Sequence, residues 1–458
     1  MRACAPRADD YLVPVPVYRG SFGPPQAERL LWRAGFGPRP GEAEALAKKG
    51  LDAAVQSLLA PGPEKLVGPK PHDDKGRPLA PKDAWGHDHC WWLDRMVRTS
   101  RPLVERMTLI WHDWFATSND GVGNQGLMLN QNELFRFHAL GAFDRLLLDV
   151  TKDPAMLTWL NGTQNVKEAP NENYAREMME LFTLGADRGA YTERDVREQA
   201  RSLTGWQSSW RKSGLYNFRF DPKEHDDGVK TVFHKSGRYD WHDACRLCLQ
   251  NPAHASFFVK KLWSYFVPVD PDSSTLSGLE ALYRHGYQVA PVVGAILKHP
   301  ALIAGPRMVK PPVVQQAGML RRLGLGITTT DWAWIGSLSG QQLFYPPNVA
   351  GWDDTRWIDT ATYRGRWIGV QRLLRDHTLD PSKEQGKLPA DADKLVTSAL
   401  AFWRNPSLSE GTSYQLTRFA RAAMKDARGQ DWKLKQYPVL VENALRQLIA
   451  VSPDAQTS

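Results

Sequence analysis

The chain has 458 residues, of which 42% are hydrophobic and 24% are charged, and its formal net charge is +8 at pH 7. Such a chain can bury a large core, and its composition excludes a collagen-like or wholly disordered protein. Its 4 cysteines are too few for a disulfide scaffold. Its 18 tryptophans indicate deep aromatic packing or a surface that stacks flat ligands such as sugars.

Most of the sequence has the apolar periodicity of amphipathic helices. The clearest case is 101–117, where Leu103, Met107 and Trp111 belong to a broad apolar surface. Thr192, with an acidic residue three positions later, has the form of a helix capping box. Helices are predicted, in chain order, in two segments over 26–60, then over 101–117, 131–150, from 154, and over 173–185, 192–204, 252–267, 275–285, 291–299, 308–323, 393–404, 412–427 and 439–450.

One stretch favours β-structure instead. Residues 215–220 alternate apolar and polar side chains, and a second apolar run at 229–233 follows an Asp-Asp-Gly turn sequence. These runs predict a small β-hairpin near 215–234. We therefore expect a mostly α fold, a large irregular multi-helix domain with a small β-hairpin insertion.

The same patterns suggest how the chain is divided. We expect an N-terminal extension over 1–24 and a main helical domain over 25–379 that carries the hairpin. A polar stretch after 379 then leads into a C-terminal helical lobe over 380–458, which can be continuous with the main domain.

Charge and hydropathy also limit partners and location. Basic and acidic residues are interspersed without a run of five like charges, so we expect no nucleic-acid partner. No stretch approaches about 18 uninterrupted apolar residues, so we expect no transmembrane segment. The N-terminal residues lack the apolar run of about 7–15 residues that marks a secretory signal, so we expect a cytoplasmic protein.

Several short sequence motifs, taken in chain order, resemble one known family. They are LLWRAGFGP at 30–38, ERMTLIWHDWFATS at 105–118, NENYAREMMELFTLG at 171–185, LTGW at 203–206, HDDGVKT at 225–231, FYPPNVAGW at 344–352, and the final 444–453. Together they are similar to the bacterial domain-of-unknown-function 1800 family, from about residue 25 to about 453. The resemblance implies no reaction and carries over no catalytic residue. Many members look exported, so the resemblance leaves export open beside the cytoplasmic expectation.

The helix predicted over 173–185 carries the strongest chemical signal. Its spacing places Asn173, Arg176, Glu177 and Glu180 along one face. Apolar residues occupy most of the remaining circumference, so we expect the helix, and its charges, to be buried. Two carboxylates beside one cation can be driven to different pKa values, as acid/base catalysis requires. The alternative is an internal salt-bridge network in which Arg176 holds Glu180.

Other candidate residues each allow a functional and a structural interpretation. His112, on an aromatic helix, is either a base or ligand facing the two carboxylates or a satisfied core residue. His225, Asp226 and Lys230 can bind a metal, a phosphate or a polyol, or simply form a turn. Two tryptophans complete the set: Trp206 is a possible aromatic platform beside that loop, and Trp352 is a sugar-stacking wall or the anchor of a rigid connector.

Two functions remain open. No Gly-x-Ser-x-Gly, Walker A or His-Glu-x-x-His motif is present, which disfavours serine hydrolases, P-loop NTPases and zincin proteases. The first function is a carboxylate-centred hydrolase or lyase acting on a glycan or another polyhydroxylated substrate. The alternative is a non-enzymatic helical protein that binds or assembles a carbohydrate or protein partner, with the same charges in a buried salt-bridge network. The sequence assigns no metal ligands and leaves the cofactor open. For the enzyme, the catalytic candidates are Glu177, Glu180, Arg176 and His112, and the substrate-binding candidates are His225, Asp226, Lys230, Trp206, Asn173 and Trp352.

Overall fold

A computed structural model describes residues 14–211 and 214–458 of the chain. Helices dominate it, which confirms the mostly α prediction. In the first half the helices are α1 (Pro24–Arg33), α2 (Glu42–Ala47), α3 (Leu51–Leu59), α4 (His87–Arg98), α5 (Pro102–Trp114), α6 (Asn119–Val122), α7 (Gln125–Phe137), α8 (Phe143–Thr151), α9 (Pro154–Trp159), α10 (Asn173–Glu177) and α11 (Glu193–Ser202).

The second half of the chain is also mostly helical. Short 3-10 turns and one π-helical turn, Met178–Thr183, join or extend the α-helices. No helix among the described residues combines the length and apolarity needed to cross a bilayer. The helices are α12 (Trp241–Leu249), α13 (Ala253–Ser264), α14 (Ser273–Arg284), α15 (Val289–Lys298), α16 (Pro300–Ile303), α17 (Pro312–Leu323), α18 (Asp331–Leu338), α19 (Thr360–Leu374), α20 (Ala392–Phe402), α21 (Glu410–Asp426), α22 (Asp431–Val451) and α23 (Pro453–Gln456).

Both predicted strands exist, but their predicted pairing is wrong. Strand β1 (Trp206–Arg211) pairs antiparallel with β2 (Gly214–Phe220), and β3 (Lys230–Val232) pairs antiparallel with β4 (Lys235–Gly237). The second hairpin closes through Phe233 and His234, whose φ angles are 50° and 62°. Two consecutive positive φ values give the turn that matches strand twist, and Phe-His is not a sequence that predicts such a turn.

A predicted helix also proves to be interrupted. The segment 131–150 divides into the end of α7 and the whole of α8. Between them the chain turns, and Gly141 N–H donates to the His138 carbonyl oxygen at 3.1 Å. Phe143 N–H then donates to the Tyr287 carbonyl oxygen at 2.9 Å, and Val289 N–H donates to the Gly141 carbonyl oxygen at 3.0 Å. These long-range bonds with the segment before α15 compete with helix continuation at a point that the periodicity does not mark.

Helix α5 lies at the centre of the fold. Every residue from Pro102 to His112, and Trp114 as well, is buried. The ring centroids of Trp111 and Trp114 lie 5.6 Å apart in an edge-to-face arrangement, and Phe143 contacts both rings. Because α5 is buried on every side, other elements must cover its whole surface, and the surrounding helices pack against it.

One fully buried carboxylate ties α5 to its neighbours. Glu105 accepts hydrogen bonds from Arg136 on α7, from Arg95 on α4 at 3.3 Å, and from Trp92 Nε1 at 3.2 Å. Burial alone would raise the pKa of Glu105. The charge and hydrogen bonds of Arg136 outweigh burial, so the pKa lies below its ordinary value.

Replacing this carboxylate tests how far the fold depends on it. We expect Glu105→Gln to lower the free energy of unfolding by about 3–5 kcal/mol, because Arg95 and Arg136, whose side chains are only 15% and 9% exposed, lose the buried carboxylate between them. Urea denaturation at pH 7 measures the loss. Glu133→Gln is the matched control: Glu133 also pairs with Arg136, at 2.9 Å, but is 56% exposed, so we expect a loss below about 1 kcal/mol. Equal losses in the two variants would contradict the central role of Glu105.

Candidate functional site

The predicted carboxylate face lies at the protein surface. Arg176 forms ion pairs with Glu172 at 3.0 Å, with Glu180 at 3.4 Å and with Glu193 at 2.8 Å. The side chains of Arg176 and Glu180 remain 31% and 27% exposed. The expected ion pairing is therefore present, but the expectation that these charges are buried is wrong.

The helical wheel explains the exposure. Between 174 and 182, five buried side chains fall within about 140° of a helical wheel drawn at about 100° per residue, so the charged residues face the opposite side. Thr183 and Leu184, which are also buried, lie at the end of the helical segment. The apolar residues cover less of the circumference than their number suggests. The five are Tyr174, Ala175, Met178, Met179 and Phe182.

Glu177 differs from its charged neighbours. It is half-buried and forms no ion pair within the described ranges. Burial, and then the charge of Glu180, raise the pKa of Glu177. Burial together with the Glu180 carboxylate raises the pKa of Tyr191 to about 12. Of the two predicted carboxylates, Glu180 is therefore ion-paired, and Glu177 protonates more readily than usual.

His112 lies inside the aromatic core. Burial lowers its pKa to about 3, so the imidazole is neutral at physiological pH. Its Nε2 atom makes no hydrogen bond with any described residue. The closest rings place it away from the carboxylate face. They are those of Trp92, Phe344, Trp352 and Phe135, at centroid distances of 5.3, 5.7, 5.4 and 6.2 Å.

The loop after β2 is held by hydrogen bonds and an ion pair to its surroundings. Asp226 pairs with Arg201 of α11 at 2.6 Å. Lys230 is buried and donates to the carbonyl oxygens of Asp226 and, at 2.8 Å, Tyr239. Burial lowers the pKa of Lys230. His225 and Asp226 line a shallow polar depression of about 390 Å³ that Lys230 does not line.

The remaining predicted residues are placed apart from one another. Trp206 packs edge-to-face against Trp241, with centroids 5.5 Å apart, and Trp352 packs against His112. Each of these two indoles is only 8% exposed, so neither presents an open stacking face. Asn173 is exposed, and its side-chain amide donates to the Asn161 side chain at 2.9 Å.

The loop that carries Trp352 is fixed to α5 through Asp113. Asp113 Oδ1 accepts a hydrogen bond from Trp352 N–H at 2.8 Å, and Oδ2 accepts one from the Tyr265 hydroxyl at 2.7 Å. Gly351 has a φ of +91°, and a Cβ there would lie 2.3 Å from Asp113 Oδ1. Only glycine permits this approach, which explains the predicted rigid connector.

A different cavity, which the sequence analysis missed, holds an unusual set of charges. It has a volume of about 210 Å³ and lies between α1, α17, the segment before α17 and the C-terminal residues. Apolar side chains such as Trp32, Met319 and Trp403 form much of its wall. We call it the cation cavity. Its charged lining consists of Arg29, Arg307, Lys310, Arg322, Glu28 and Asp454.

Packing between α1 and α17 shapes this cavity. Trp32 lies one turn after Glu28 on α1, and its Nε1 donates to the Glu28 carboxylate at 3.3 Å. The Trp32 ring presses on α17 at Gly318, where a Cβ would lie 2.2 Å from the ring. A larger residue at 318 would push the indole away, so Gly318 allows Trp32 to form a wall.

Two of the four cations in the lining lack a carboxylate partner. Arg307 pairs with Asp454 at 2.8 Å, and Arg322 pairs with Glu28. Arg29 instead donates to the carbonyl oxygens of Gly305, at 2.7 Å, and Pro306. Burial, and then the charge of Arg307, lower the pKa of Arg29.

Lys310 is the second unpaired cation. It is 5% exposed, and its Nζ atom lies 3.9 Å from the centroid of the Trp32 ring and donates to the Ala455 carbonyl oxygen at 2.8 Å. Burial lowers the pKa of Lys310 well below its ordinary value, and the positive charges of Arg322 and Arg307 add to this effect. A buried ammonium group usually has a carboxylate partner, and in the part of the chain described here Lys310 has none within ion-pair distance.

Comparison with known proteins gives a family but no activity. The model of a family described as a protein of unknown function (DUF1800) matches residues 29–457, nearly the whole chain. The match therefore includes the carboxylate face and most of the cation cavity, whose Pro25, Glu28 and Ser458 lie just outside the matched range. No curated protein and no solved structure matches the chain.

The surface position of the Arg176 ion pairs predicts a small stability effect. We expect Glu180→Gln to lower the free energy of unfolding by less than about 1 kcal/mol, because Arg176 keeps two other carboxylates and the pair is solvated. Urea denaturation measures it. Glu280→Gln is the matched control, since Glu280 pairs with Arg284 at the same i,i+4 spacing, at 3.0 Å. A loss of about 3 kcal/mol or more, which is the cost of breaking a buried pair, would contradict this placement.

Proposed function

The chain belongs to the DUF1800 family of proteins of unknown function, and we propose that it binds a small anionic molecule in the cation cavity. The observation that carries the proposal is the pair Arg29 and Lys310. Both are basic groups in the wall of one cavity, and neither has a carboxylate partner among the described residues. An apolar cavity with a few convergent polar groups and perturbed pKa values is the usual setting of a ligand site.

Charge balance supports an anion over a neutral or cationic ligand. The charged lining has four cationic side chains and two carboxylate side chains, and the two carboxylates already pair with Arg307 and Arg322. An anion between Arg29 and Lys310 supplies a counter-charge to Arg29 and accepts a hydrogen bond from the Lys310 amine. Coulomb attraction is stronger there than in bulk water, because the protein wall lowers the local dielectric constant.

The apolar wall supports an organic ligand. Trp32 and Trp403 contribute to the apolar wall, and Leu408 and Met319 add aliphatic contact. A carboxylate or phosphate group held by Arg29, with a small carbon skeleton against these side chains, satisfies both parts of the lining. This keeps the non-enzymatic binding class that the sequence left open, but replaces its carbohydrate or protein partner with a small anion.

Calorimetric titration with citrate, at constant ionic strength, tests the proposal. We expect wild-type protein to bind citrate and Arg29→Gln to bind it at least about tenfold more weakly, because a charge-assisted hydrogen bond contributes about 1.5–3 kcal/mol. Arg29→Lys, which keeps the charge, is expected to keep part of the affinity. Circular dichroism confirms that each variant is folded before titration.

The control is an arginine far from the cavity. Arg145 on α8 is 73% exposed, so Arg145→Gln removes one positive charge without touching the lining. We expect this variant to bind citrate like the wild type. Loss of affinity in both variants would mean that net charge alone attracts citrate, and absence of binding by citrate and by inorganic phosphate would overturn the proposal.

A second candidate function is the hydrolase or lyase reaction on a glycan. Glu177 favours it, because its half-buried carboxyl protonates more readily than usual beside the ionisable Glu180. Such a pair can divide the roles of general acid and ionised partner. In that reaction Glu177 donates a proton to the leaving oxygen, Arg176 orients Glu180, and Asn173 and the loop at His225 contact the sugar.

The pH dependence of activity tests this candidate. If Glu177 is the general acid, activity on a polysaccharide panel falls as pH rises through the raised pKa of Glu177, since the protonated form is then lost. We expect Glu177→Gln to abolish the activity and Glu44→Gln, at an exposed position on α2, to leave it unchanged. Reducing-end and unsaturated-product assays cover hydrolase and lyase chemistry. Activity that survives in Glu177→Gln would exclude this role.

A further inference from the structure

Lys310 is held rigidly in the wall of the cation cavity. Its main-chain N–H donates to the Gln456 carbonyl oxygen at 2.9 Å, and its carbonyl oxygen accepts from Arg366 at 2.8 Å. The side chain then crosses the face of Trp32, with Nζ 3.9 Å from the ring centroid. Hydrogen bonds at both main-chain groups and the aromatic contact fix the amine at one place in the lining.

The charges around this amine favour its neutral form. Burial is the largest effect on the pKa of Lys310, and three arginines, Arg322, Arg307 and Arg366, lower it further. Glu28 acts in the opposite direction, but its carboxylate already accepts from Arg322 and from the Trp32 indole. A desolvated lysine next to other cationic groups is the form in which an amine acts as a nucleophile at neutral pH.

We propose that Lys310 forms an imine with a small anionic aldehyde or oxo acid whose acidic group is held by Arg29. The proposal rests on the proposed function, because the same cavity must first bind the anion. It deepens that function by naming the ligand class: a carbonyl compound that carries a carboxylate or a phosphate. The lining supports it because Arg29 and Lys310 face one cavity, so one small molecule can contact both groups.

The reaction needs no oxidant or metal to balance. The Nζ lone pair attacks the carbonyl carbon, and the carbonyl oxygen takes a proton to give a carbinolamine. Loss of that hydroxyl group with one proton releases one molecule of water and leaves a carbon–nitrogen double bond. The net change is one amine plus one carbonyl compound giving one imine plus one water. The anionic group on the ligand offsets the charge when the imine is protonated.

Reductive trapping on the wild-type protein tests the inference. The protein is incubated at pH 7 with glyoxylate and sodium cyanoborohydride, and peptide mass spectrometry locates the reduced adducts. We expect Lys310 to be modified at least about tenfold faster than the exposed Lys65, because an ordinary lysine, with a pKa of about 10.4, is almost fully protonated at pH 7. Propanal, an aldehyde without an acidic group, is expected to show a smaller preference for Lys310, because Arg29 does not hold it in the cavity.

Citrate competition separates this inference from the proposed function. If calorimetry detects citrate binding and citrate slows the modification of Lys310 by glyoxylate, the anion site and the imine are both supported. If citrate binds but glyoxylate does not modify Lys310 faster than Lys65, the imine is excluded and the anion site remains. If neither citrate nor phosphate binds and Lys310 is unmodified, the proposed function and this inference both fail.

Two variants make the assignment specific. Lys310→Arg keeps a positive charge but cannot form an imine, so we expect citrate to bind while the adduct at this position disappears. Arg29→Gln keeps the amine but removes the anion partner, so we expect slower modification of Lys310 by glyoxylate and an unchanged rate with propanal. An unchanged glyoxylate rate in Arg29→Gln would contradict the role given to Arg29.

Discussion

The burial of α5 on every side is the constraint on which the rest of the fold depends. A helix enclosed in this way must satisfy its own polar side chains from within the protein, because water cannot reach them. Glu105 does so by pairing with arginines from α4 and α7, and Asp113 does so by accepting hydrogen bonds from Tyr265 and from the main chain at Trp352. Glu105 and Asp113 therefore fix neighbouring elements against α5, and the aromatic rings fill the space between them.

The need to satisfy buried polar side chains also shapes the surroundings of α1, where the cation cavity lies. Arg33 is fully buried there, and it donates to the main-chain oxygens of Pro306, at 3.0 Å, and Ser458, at 2.7 Å. Met308 and Ser458 also exchange main-chain hydrogen bonds of 2.9 Å in both directions. These contacts hold the segment before α17 and the end of the chain against α1, and the space left between them is the cavity. Its charged groups are thus held by rigid main-chain contacts, which favours selective binding.

Local patterns in the sequence predict local structure well. The apolar surface of 101–117 predicts α5, and the Thr192 capping box is present, with Thr192 Oγ1 accepting from Asp195 N–H at 3.3 Å. The i,i+4 spacing of Arg176 and Glu180 predicts their ion pair. It does not predict that the pair is exposed, because exposure depends on which sides of the helix other elements cover. The cation cavity has no local signal, because Arg29 and Lys310 are brought together only by the tertiary fold. Nothing in the sequence around Trp32 indicates that Lys310, which is far away along the chain, will lie against its ring.

The central claim is that the space between Arg29 and Lys310 is an anion site, and a crystal structure grown with selenate tests it most directly. Selenium scatters anomalously, so the position of each bound anion is read from the data without assuming a ligand. The account predicts an anomalous peak inside the cation cavity, with selenate oxygens at about 2.7–3.2 Å from the nitrogen atoms of Arg29 and Lys310. A cavity without such a peak, in crystals where selenate occupies other arginines, would contradict the account.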